Sequence, residues 1–325
     1  MTNPTLVLHV GYHKTATTYL QRCVFGSHPE ILYLGRPWVD EELRRLFRTY
    51  KYTHDLDFDP HRFSSWFWRI AERVGPQVWR RKGQATEPKV LMASSESLHS
   101  GPEWFGLCVA SMAERLKAVF SPCEVILGFR NQADYVESNY REYVRHGGKL
   151  PFKRFVRSSF ACNLALLPKL QYDKVLALYR RLFGPERVHV YLQERLGRER
   201  SSALAELMEL IGMDAGQEFP QGRVNVGWSK TATECMRLVN KWLAQDYLEQ
   251  YFIAGRLAEK PFRERLRRRF RRLFKRANRM LASAKRPSRY LDEATREQIN
   301  ARFKASNEAL AAQLGQDIRE LGYRY

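Results

Sequence analysis

The segment spanning residues 5–21 combines residue types that bind anions. An apolar run at residues 6–10 has the composition of a strand and stops at Gly11. Lys14 follows, then hydroxyl groups at Thr15, Thr17 and Thr18, and helical apolar spacing begins directly afterwards. A strand, a tight turn and a helix start direct free N–H groups and the positive end of the helix dipole out of the turn. The sequence therefore predicts an anion-binding loop. The alternative is an ordinary strand–helix turn in which Lys14 is solvated and the threonines cap the helix.

This loop differs from the common ATP- or GTP-binding loop. That loop has the pattern G-x-x-x-x-G-K-[ST], whereas Gly11 precedes Lys14 here by three positions and no glycine adjoins the lysine. Enzymes with that loop also hold magnesium through an aspartate at the end of a hydrophobic strand. The later apolar strands end instead at Ser94-Ser95-Glu96, at Arg130 and at Gln193-Glu194. The loop is predicted to hold a phosphate-like group without a bound metal.

A second set of anion-binding residue types starts at Arg130. Arg130 follows an apolar strand, and Asn131 and Asp134 have the spacing of a helix cap with its reciprocal acid. Ser138 lies about two turns into the helix that this cap begins. A guanidinium fork and a hydroxyl can converge on one anion. An arginine and a serine near one helix are usually structural, but together with the Lys14 loop they suggest a ligand with two separate phosphate groups.

Alternating strands and helices must position these groups. Strands are predicted at residues 6–10, 31–34, 89–93, 124–129 and 187–192, with helices of crossover length between them. Such alternation favours an α/β fold with a P-loop-like parallel sheet flanked by helices. Ligands bind beyond the carboxyl ends of the strands in such sheets, which is where Lys14, Glu96 and Arg130 lie in the sequence.

The C-terminal part is predicted to be helical and strongly basic. Residues 256–289 hold fifteen Lys and Arg against Glu259 and Glu264, with apolar residues at helical spacing. This amphipathic basic helix is interpreted either as a solvated surface helix or as a surface for an anionic substrate or a membrane. Another segment, residues 39–82, is predicted to be a helical, aromatic-rich insertion within a single domain covering residues 1–325.

Charge and cysteine content narrow the function classes. The 325 residues carry a net charge of +20, which favours anionic partners. The five cysteines are dispersed and lack CxxC spacing, which argues against a zinc site and for reduced thiols. With neither a signal-peptide pattern nor an apolar run of membrane-spanning length, the expectation is a cytoplasmic protein, with residues 256–289 as the candidate for peripheral membrane contact.

Three motifs in order resemble those of sulfotransferases that use 3′-phosphoadenosine 5′-phosphosulfate (PAPS), particularly the bacterial carbohydrate sulfotransferases. The family's K-[ST]-G-T-T loop is similar to residues 14–18, KTATT, and its R-N-P-x-D-x-x-x-S-x-Y motif to residues 130–140, RNQADYVESNY. A Y-E-D/E-L-like strand end is approximated by residues 191–196, YLQERL. Together the motifs cover about the first 200 residues.

The resemblance implies which residues would bind PAPS. The 5′-phosphosulfate would be held by the loop around Lys14 (His13, Lys14, Thr15, Ala16, Thr17 and Thr18), and the 3′-phosphate by Arg130 and Ser138. Arg223, in a late loop, is a further candidate for the 3′-phosphate. Ala16 stands where the family has glycine, so this position is expected to avoid the φ > 0 conformations that glycine tolerates. No metal is expected, and the product would be adenosine 3′,5′-bisphosphate.

The chemistry of sulfonate transfer requires charge stabilisation and a base. Lys14 would stabilise the negative charge on the leaving phosphate oxygen. In the family this role falls to a histidine or a glutamate. Glu96 is the predicted general base, because it follows the strand at residues 89–93 at the carboxyl edge of the sheet, where the small-molecule branch of the family places its histidine. His99, His13 and the Glu41-Glu42 pair are its rivals.

Acceptor identity is the least determined feature. A glutamate base and a basic surface favour a polar or anionic saccharide or a glycolipid, with a phenol or a protein tyrosine as alternatives. A P-loop kinase is a competing hypothesis, which the missing strand-end aspartate and the non-standard loop disfavour. A nucleic-acid- or membrane-binding protein is another; it explains the charge but not the ordered phosphate motifs, and no nucleic-acid partner is expected.

Overall fold

A parallel β-sheet organises the part of the chain that the computed structural model describes, which comprises residues 4–83, 87–99, 109–161, 168–214, 216–220, 227–243, 261–281 and 289–325. Its strands are β1 (Thr5–His9), β2 (Ile31–Gly35), β3 (Val90–Ser94), β4 (Glu124–Phe129) and β5 (Val188–Leu192). The spatial order is β2-β3-β1-β4-β5, and every adjacent pair is parallel.

Helices connect and cover these strands. In the described residues they are α1 (Thr17–Tyr19), α2 (Glu41–Tyr52), α3 (Pro60–Arg81), α4 (Val109–Phe120), α5 (Gln132–Arg145), α6 (Phe152–Ala161), α7 (Tyr172–Phe183), α8 (Gln193–Arg198), α9 (Arg200–Leu210), α10 (Lys230–Leu243), α11 (Pro261–Leu281) and α12 (Glu293–Leu314). The predicted α/β fold with a P-loop-like parallel sheet and a helical C-terminal part is confirmed. The four later strands agree with their predicted positions to within one residue at each end, and the first, predicted at 6–10, runs one residue earlier.

The strands are apolar because both faces of the sheet are covered. Val7 and Leu8 of β1, and Val125 and Ile126 of β4, have no exposed surface. A parallel sheet covered on both sides requires such continuous apolar runs, since side chains of both parities along a strand are buried. The sheet edge beyond the carboxyl strand ends therefore becomes the place where polar groups gather.

Residues 39–82 form two capped helices. The side chain of Asp40 accepts hydrogen bonds from Glu42 N and Leu43 N at the start of α2, and Asp59 accepts one from Arg62 N at the start of α3. Pro60 occupies the first turn of α3, where its missing N–H costs nothing. Caps of this kind satisfy N–H groups that have no partner within the helix.

The chain divides into two compact units. The first comprises Met1–Asn131, Leu164–Val224 and Phe303–Tyr325, and contains the sheet. The second comprises Gln132–Asn163 and Asn225–Arg302. In the second unit Asn240 is buried and its amide donates to the carbonyl oxygens of Val144 and Gly148, at 2.6 and 3.0 Å, which ties α10 to the end of α5. Across the described helices, none is long and apolar enough to cross a membrane.

Candidate functional site

The loop after β1 contains two residues in the left-handed backbone region. Lys14 has φ 69° and Ala16 has φ 66° with ψ 13°. The expectation that Ala16 avoids positive φ is therefore wrong. Its carbonyl oxygen accepts from Tyr19 N at 2.9 Å and from Leu20 N at 3.1 Å, so the turn that starts α1 sets this conformation even without a glycine. A left-handed non-glycine residue costs about 1–2 kcal/mol, which is a strain typical of ligand-binding loops.

Helix α1 begins at this loop without a capping side chain. Ala16 is its N-cap and provides no side-chain hydrogen bond. The helix continues past Tyr19 as a π-helical segment, Leu20–Phe25. The first N–H groups of a helix have no acceptor within the helix, so an uncapped start retains donors for an anion. Thr18 is half-buried in this first turn, and Lys14 in the loop is also half-buried.

A tyrosine of β5, Tyr191, stabilises the loop after β1 by hydrogen bonding to Thr15. The phenol oxygen of Tyr191 donates to the carbonyl oxygen of Thr15 at 3.0 Å and lies 3.2 Å from Thr15 Oγ1. Thr15 Oγ1 in turn donates to the carbonyl oxygen of Tyr12 at 2.6 Å. β5 is not adjacent to β1, and Tyr191 reaches the loop across Gly128 of β4, where an added Cβ would overlap the tyrosine ring. The absence of a side chain at Gly128 thus makes this support sterically possible.

His9, at the end of β1, links Tyr191 to Ser94 at the end of the neighbouring strand β3. His9 Nε2 lies 3.2 Å from the Tyr191 hydroxyl, and its Nδ1 lies 2.8 Å from Ser94 Oγ. Gln21 Nε2 donates to the same serine oxygen at 3.1 Å. A neutral histidine protonated on Nε2 satisfies the whole chain from Gln21 to the carbonyl of Thr15. Burial lowers the pKa of His9 to about 4, with a small opposing effect of the Glu96 charge, so the neutral form prevails near neutral pH.

Arg130 lies against the loop, as expected for two sites on one sheet edge. Its Nη1 donates to the carbonyl oxygen of Lys14 at 3.0 Å. Its own carbonyl oxygen accepts from the hydroxyl of Tyr172 at 2.7 Å, which fixes the backbone at the end of β4. The buried Nε of Arg130 has no hydrogen-bond partner among the described residues. A buried N–H without an acceptor fits a position that receives an anionic ligand.

The residue after Arg130 is held by the C-terminal segment. Asn131 N donates to Glu194 Oε1 at 2.9 Å, and Asn131 Nδ2 donates to the carbonyl oxygen of Gly322 at 2.7 Å. Tyr323 is buried and donates from its hydroxyl to Glu194 Oε2 at 3.1 Å. Burial raises the pKa of Glu194, while the N–H of Asn131 and the charge of Arg130 oppose the rise. Residues 322–323 therefore help to fix the strand end from which Arg130 projects.

Glu96 lies beside the loop on its other flank. Thr17 Oγ1 donates to Glu96 Oε1 at 2.5 Å, and Arg36 Nη1 lies 3.5 Å from Glu96 Oε2. Burial by itself would raise the pKa of this carboxyl. The charge of His13, the Thr17 hydroxyl, a backbone hydrogen bond and Arg36 together outweigh burial and lower the pKa to about 2. The carboxylate is thus ionised at neutral pH and faces the threonine that begins α1.

The rival bases occupy different environments. His99 is 1% exposed, its Nδ1 lies 3.2 Å from the Tyr179 hydroxyl, and burial lowers its pKa to about 3, with smaller contributions from Lys169 and His13. His13 is half-buried, and its charge acts on Glu96 and on His99. His13 is therefore close enough to both groups for its charge to lower their pKa values.

The two acids at the start of α2 are engaged in ion pairs. Glu41 contacts Arg44, and Glu42 accepts from Trp66 Nε1 at 2.8 Å and from Arg73 Nη2 at 2.9 Å. The contacts of Glu42 link α2 to α3, whereas the Glu41–Arg44 pair lies within α2. Both carboxylates therefore have structural partners.

Ser138 and Arg223 are the two other predicted phosphate ligands. Ser138 is half-buried on α5, in the second unit. Arg223 lies outside the described residues. In the part of the chain that the structure describes, no three His, Cys, Asp or Glu side chains form a group able to hold a metal ion.

Sequence reasoning did not identify the groups that support the loop. The sequence predicts His9 and Gln21 only as parts of a strand and a helix. It marks Ser94 and Tyr191 only as residues near strand ends and indicates no role for Arg36. A histidine at the end of an otherwise apolar strand is a signal that could have identified His9. No local signal linked Tyr191 to Thr15, since 176 residues separate them.

Comparison with known proteins supports the fold assignment. No protein-family model matches the chain, and no curated protein matches it. A crystal structure of a sulfotransferase from Alicyclobacillus acidocaldarius is similar over 99% of this chain and 100% of that chain, with a TM-score of 0.52 and 14% sequence identity.

Two excised domains were also found. The sulfotransferase domain of the Synechococcus PCC 7002 olefin synthase has a TM-score of 0.36 and 14% identity, covering 65% of this chain and 74% of that domain. The sulfotransferase domain from the curacin biosynthetic pathway has a TM-score of 0.37 and 16% identity, covering 69% and 82%. The near-complete overlap with the Alicyclobacillus structure shows that the chain has a sulfotransferase fold.

Proposed function

We propose that this protein transfers the sulfonate group of PAPS to an acceptor hydroxyl. The observation that carries the proposal is the loop of residues 13–18, with its uncapped helix start, its two left-handed residues and Arg130 against the carbonyl of Lys14. Such a loop concentrates N–H groups, a lysine and a guanidinium at one place, which suits the charged end of a nucleotide. The sulfotransferase fold and the three ordered motifs support the same assignment.

The residues present fit the donor nucleotide. Lys14 and the loop of His13, Thr15, Ala16, Thr17 and Thr18 would hold the 5′-phosphosulfate. Arg130, whose buried Nε lacks a hydrogen-bond partner among the described residues, would bind the 3′-phosphate. Ser138 is proposed for this phosphate from the sequence alone. Arg223 remains a proposal from the sequence for the same phosphate.

PAPS, when bound, supplies an activated sulfonate whose transfer releases adenosine 3′,5′-bisphosphate. The bond formed joins the acceptor oxygen to sulfur, and the bond broken joins sulfur to the 5′-phosphate oxygen. Lys14 stabilises the negative charge that grows on that phosphate oxygen, and the donors at the start of α1 assist it. Because both act more strongly on the developed charge than on the ground state, they accelerate the reaction.

Glu96 is the proposed acceptor of the hydroxyl proton. Its carboxylate is ionised near neutral pH and lies within hydrogen-bond distance of Thr17, so it borders the loop where sulfonate would be presented. A pKa of about 2 makes it a weak base toward a free alcohol. The proton is therefore expected to move late, once bond formation to sulfur has made the hydroxyl acidic. His13, whose charge acts on Glu96, is the rival base.

The acceptor is proposed to be a polar or anionic saccharide or a glycolipid. A net charge of +20 raises the local concentration of an anionic acceptor around the protein. Phenols and protein tyrosines are the alternatives to be tested in the same panel. The proposed location is cytoplasmic, which suits the thiols of the described cysteines Cys23, Cys123 and Cys235, none of which forms a disulfide.

The decisive experiment combines a ligand test with a transfer assay. A thermal shift with adenosine 3′,5′-bisphosphate is expected, because a ligand that binds only the folded state stabilises it, and ATP with Mg²⁺ is expected to shift Tm less. Mass spectrometry of acceptors incubated with PAPS should then detect the mass of one added sulfonate, and this transfer should survive EDTA. A Tm increase with ATP–Mg²⁺ alone, or transfer of phosphate instead of sulfonate, would contradict the proposal.

A further inference from the structure

Helix α11 carries a straight ridge of exposed arginines. Among its side chains that the structure describes, Arg265, Arg269, Arg272 and Arg276 are exposed and are separated by four, three and four residues. That spacing places all four on one side of an α-helix. Eleven residues at about 1.5 Å per residue make the ridge about 16 Å long.

No acidic side chain among the described residues pairs with these four arginines. The buried Arg267, on the opposite side of the helix, instead donates to the carbonyl oxygen of Arg145 at 3.4 Å. Like charges one turn apart repel each other and destabilise a helix. An anionic partner would relieve this repulsion, so the ridge is suited to a surface of negative charge.

Exposed apolar side chains lie on α11 and on the helix that packs against it. Leu273 follows Arg272 on the exposed side of α11 and is 58% exposed. On the neighbouring α10, which packs against α11, Leu238 is 50% exposed and Trp242 is 81% exposed. These two lie four residues apart and therefore on one side of α10. Large exposed apolar residues on the same pair of helices as a row of arginines indicate an interaction surface.

We propose that α10 and α11, in the second unit, bind an anionic lipid surface through the arginine ridge and the three exposed apolar residues. The arginine ridge would contact lipid phosphates, and Leu273, Leu238 and Trp242 would enter the interfacial layer. Tryptophan and leucine beside arginine are the residue types of interfacial membrane contacts, in which charge attraction and apolar burial act together. The proposal is independent of sulfonate transfer, because it uses no residue of the loop or of the sheet edge.

The apolar residues favour lipid over nucleic acid. Nucleic-acid backbones are bound chiefly by charge and hydrogen bonding to phosphate, which would leave the two leucines in water. A bilayer takes both classes of side chain at one surface. The contribution of the leucines and the tryptophan therefore distinguishes the two partners experimentally.

The test is co-sedimentation of the full chain with vesicles. We expect binding to phosphatidylcholine vesicles that contain about 30 mol% phosphatidylglycerol, and much weaker binding to pure phosphatidylcholine. R269Q/R272Q should weaken binding roughly 25-fold, since each arginine near an anionic membrane contributes about five-fold. The matched control R45Q/R48Q removes the same charge from exposed positions of α2 and should change binding less than about two-fold. If R269Q/R272Q lowers Tm, R265Q/R276Q provides an independent pair on the same ridge.

Apolar substitutions and a nucleic-acid probe complete the test. W242A and L273S should reduce vesicle binding in about 0.5 M salt, where charge attraction is screened. Equal binding to neutral and anionic vesicles would overturn the proposal, as would equal losses in the ridge pair and the control pair. Unchanged vesicle binding in W242A and L273S would overturn the assignment to lipid. If a labelled oligonucleotide binds through the ridge and vesicles do not bind, the lipid assignment is also overturned, and nucleic acid is the partner.

Discussion

The guanidinium of Arg130 donates a hydrogen bond to the backbone carbonyl of Lys14, 3.0 Å away, although 116 residues separate them in the chain. The contact exists because β1 and β4 are neighbours and end at the same edge of the sheet. One arginine therefore has two roles open to it: it holds the loop, and it can bind an anion through its remaining donors.

Replacing Arg130 by alanine should weaken the binding of adenosine 3′,5′-bisphosphate by about 2–4 kcal/mol, the loss typical of one partner of a charge-assisted contact. Isothermal titration calorimetry measures this directly. Arg195→Ala on α8, which removes a partly exposed ion pair with Glu206 of α9, is the matched control and should leave the affinity unchanged. An unchanged affinity in Arg130→Ala would show that Arg130 acts only on the structure of the loop.

Replacing Lys14 by methionine should lower kcat about 10²–10³-fold, because the loss of one preformed donor at a developing negative charge has an effect of this size. Tm should change little, since the side chain is half-buried in a loop. Lys89→Met, at an exposed lysine paired with Glu30, controls for the general loss of a positive charge. Turnover within about two-fold of the wild type would remove Lys14 from the mechanism.

Replacing Ala16 by glycine should stabilise the fold by about 0.5–1 kcal/mol. Glycine removes the strain of a left-handed residue, and this gain exceeds the entropy it adds to the unfolded chain. The matched control is Ala305→Gly at an exposed position in the middle of α12, which should destabilise the protein by about 1 kcal/mol. Urea unfolding measures both changes, and a destabilised Ala16→Gly would mean that the left-handed conformation carries no strain.

Replacing Glu96 by glutamine should lower kcat about 10²–10⁴-fold if Glu96 takes the proton, with little change in nucleotide affinity. Its pKa is lowered to about 2, so the wild-type profile of kcat/KM should show no limb from this carboxyl between pH 4 and pH 9. Glu42→Gln, at a carboxylate held by Trp66 and Arg73, is the control. Retained turnover in Glu96→Gln, with loss in His13→Ala, would assign the base to His13.

The free energy of unfolding should fall as pH decreases from 6.5 toward 3. Burial lowers the pKa values of His9 and His99 to about 4 and about 3, so the unfolded chain binds more protons than the folded chain in this range. The contribution of the two neutral histidines to the free energy of unfolding is fully present above pH 6.5, and it is lost as protons bind to them at lower pH. For His9 the loss amounts to about 3 kcal/mol once both states are protonated.

Urea unfolding at several pH values measures this loss. His99→Gln should make the free energy of unfolding depend less steeply on pH, and His61→Gln, at an exposed position on α3, should not. A slope unchanged in His99→Gln would mean that His99 titrates normally in the folded state.

The sequence by itself determined the local parts of this protein. Continuous apolar runs such as residues 124–129 can be buried on both faces, which predicts strands of a parallel sheet. The position of Lys14 directly after one strand, and of Arg130 directly after another, follows from the same runs. These features depend on residues a few positions apart, so composition and spacing contain the information.

Tertiary structure decided which of these groups meet. The order β2-β3-β1-β4-β5 puts β4 on one side of β1 and β3 on the other, so Arg130 and Glu96 flank the loop from opposite sides. It also brings Tyr191 of β5 beneath Thr15 across Gly128, a contact that needs one strand to lack a side chain. The backbone of Ala16 likewise follows the hydrogen bonds of the turn and not the preference of alanine. Strand order and turn geometry are set by packing energies summed over the whole sheet, and no local pattern encodes them.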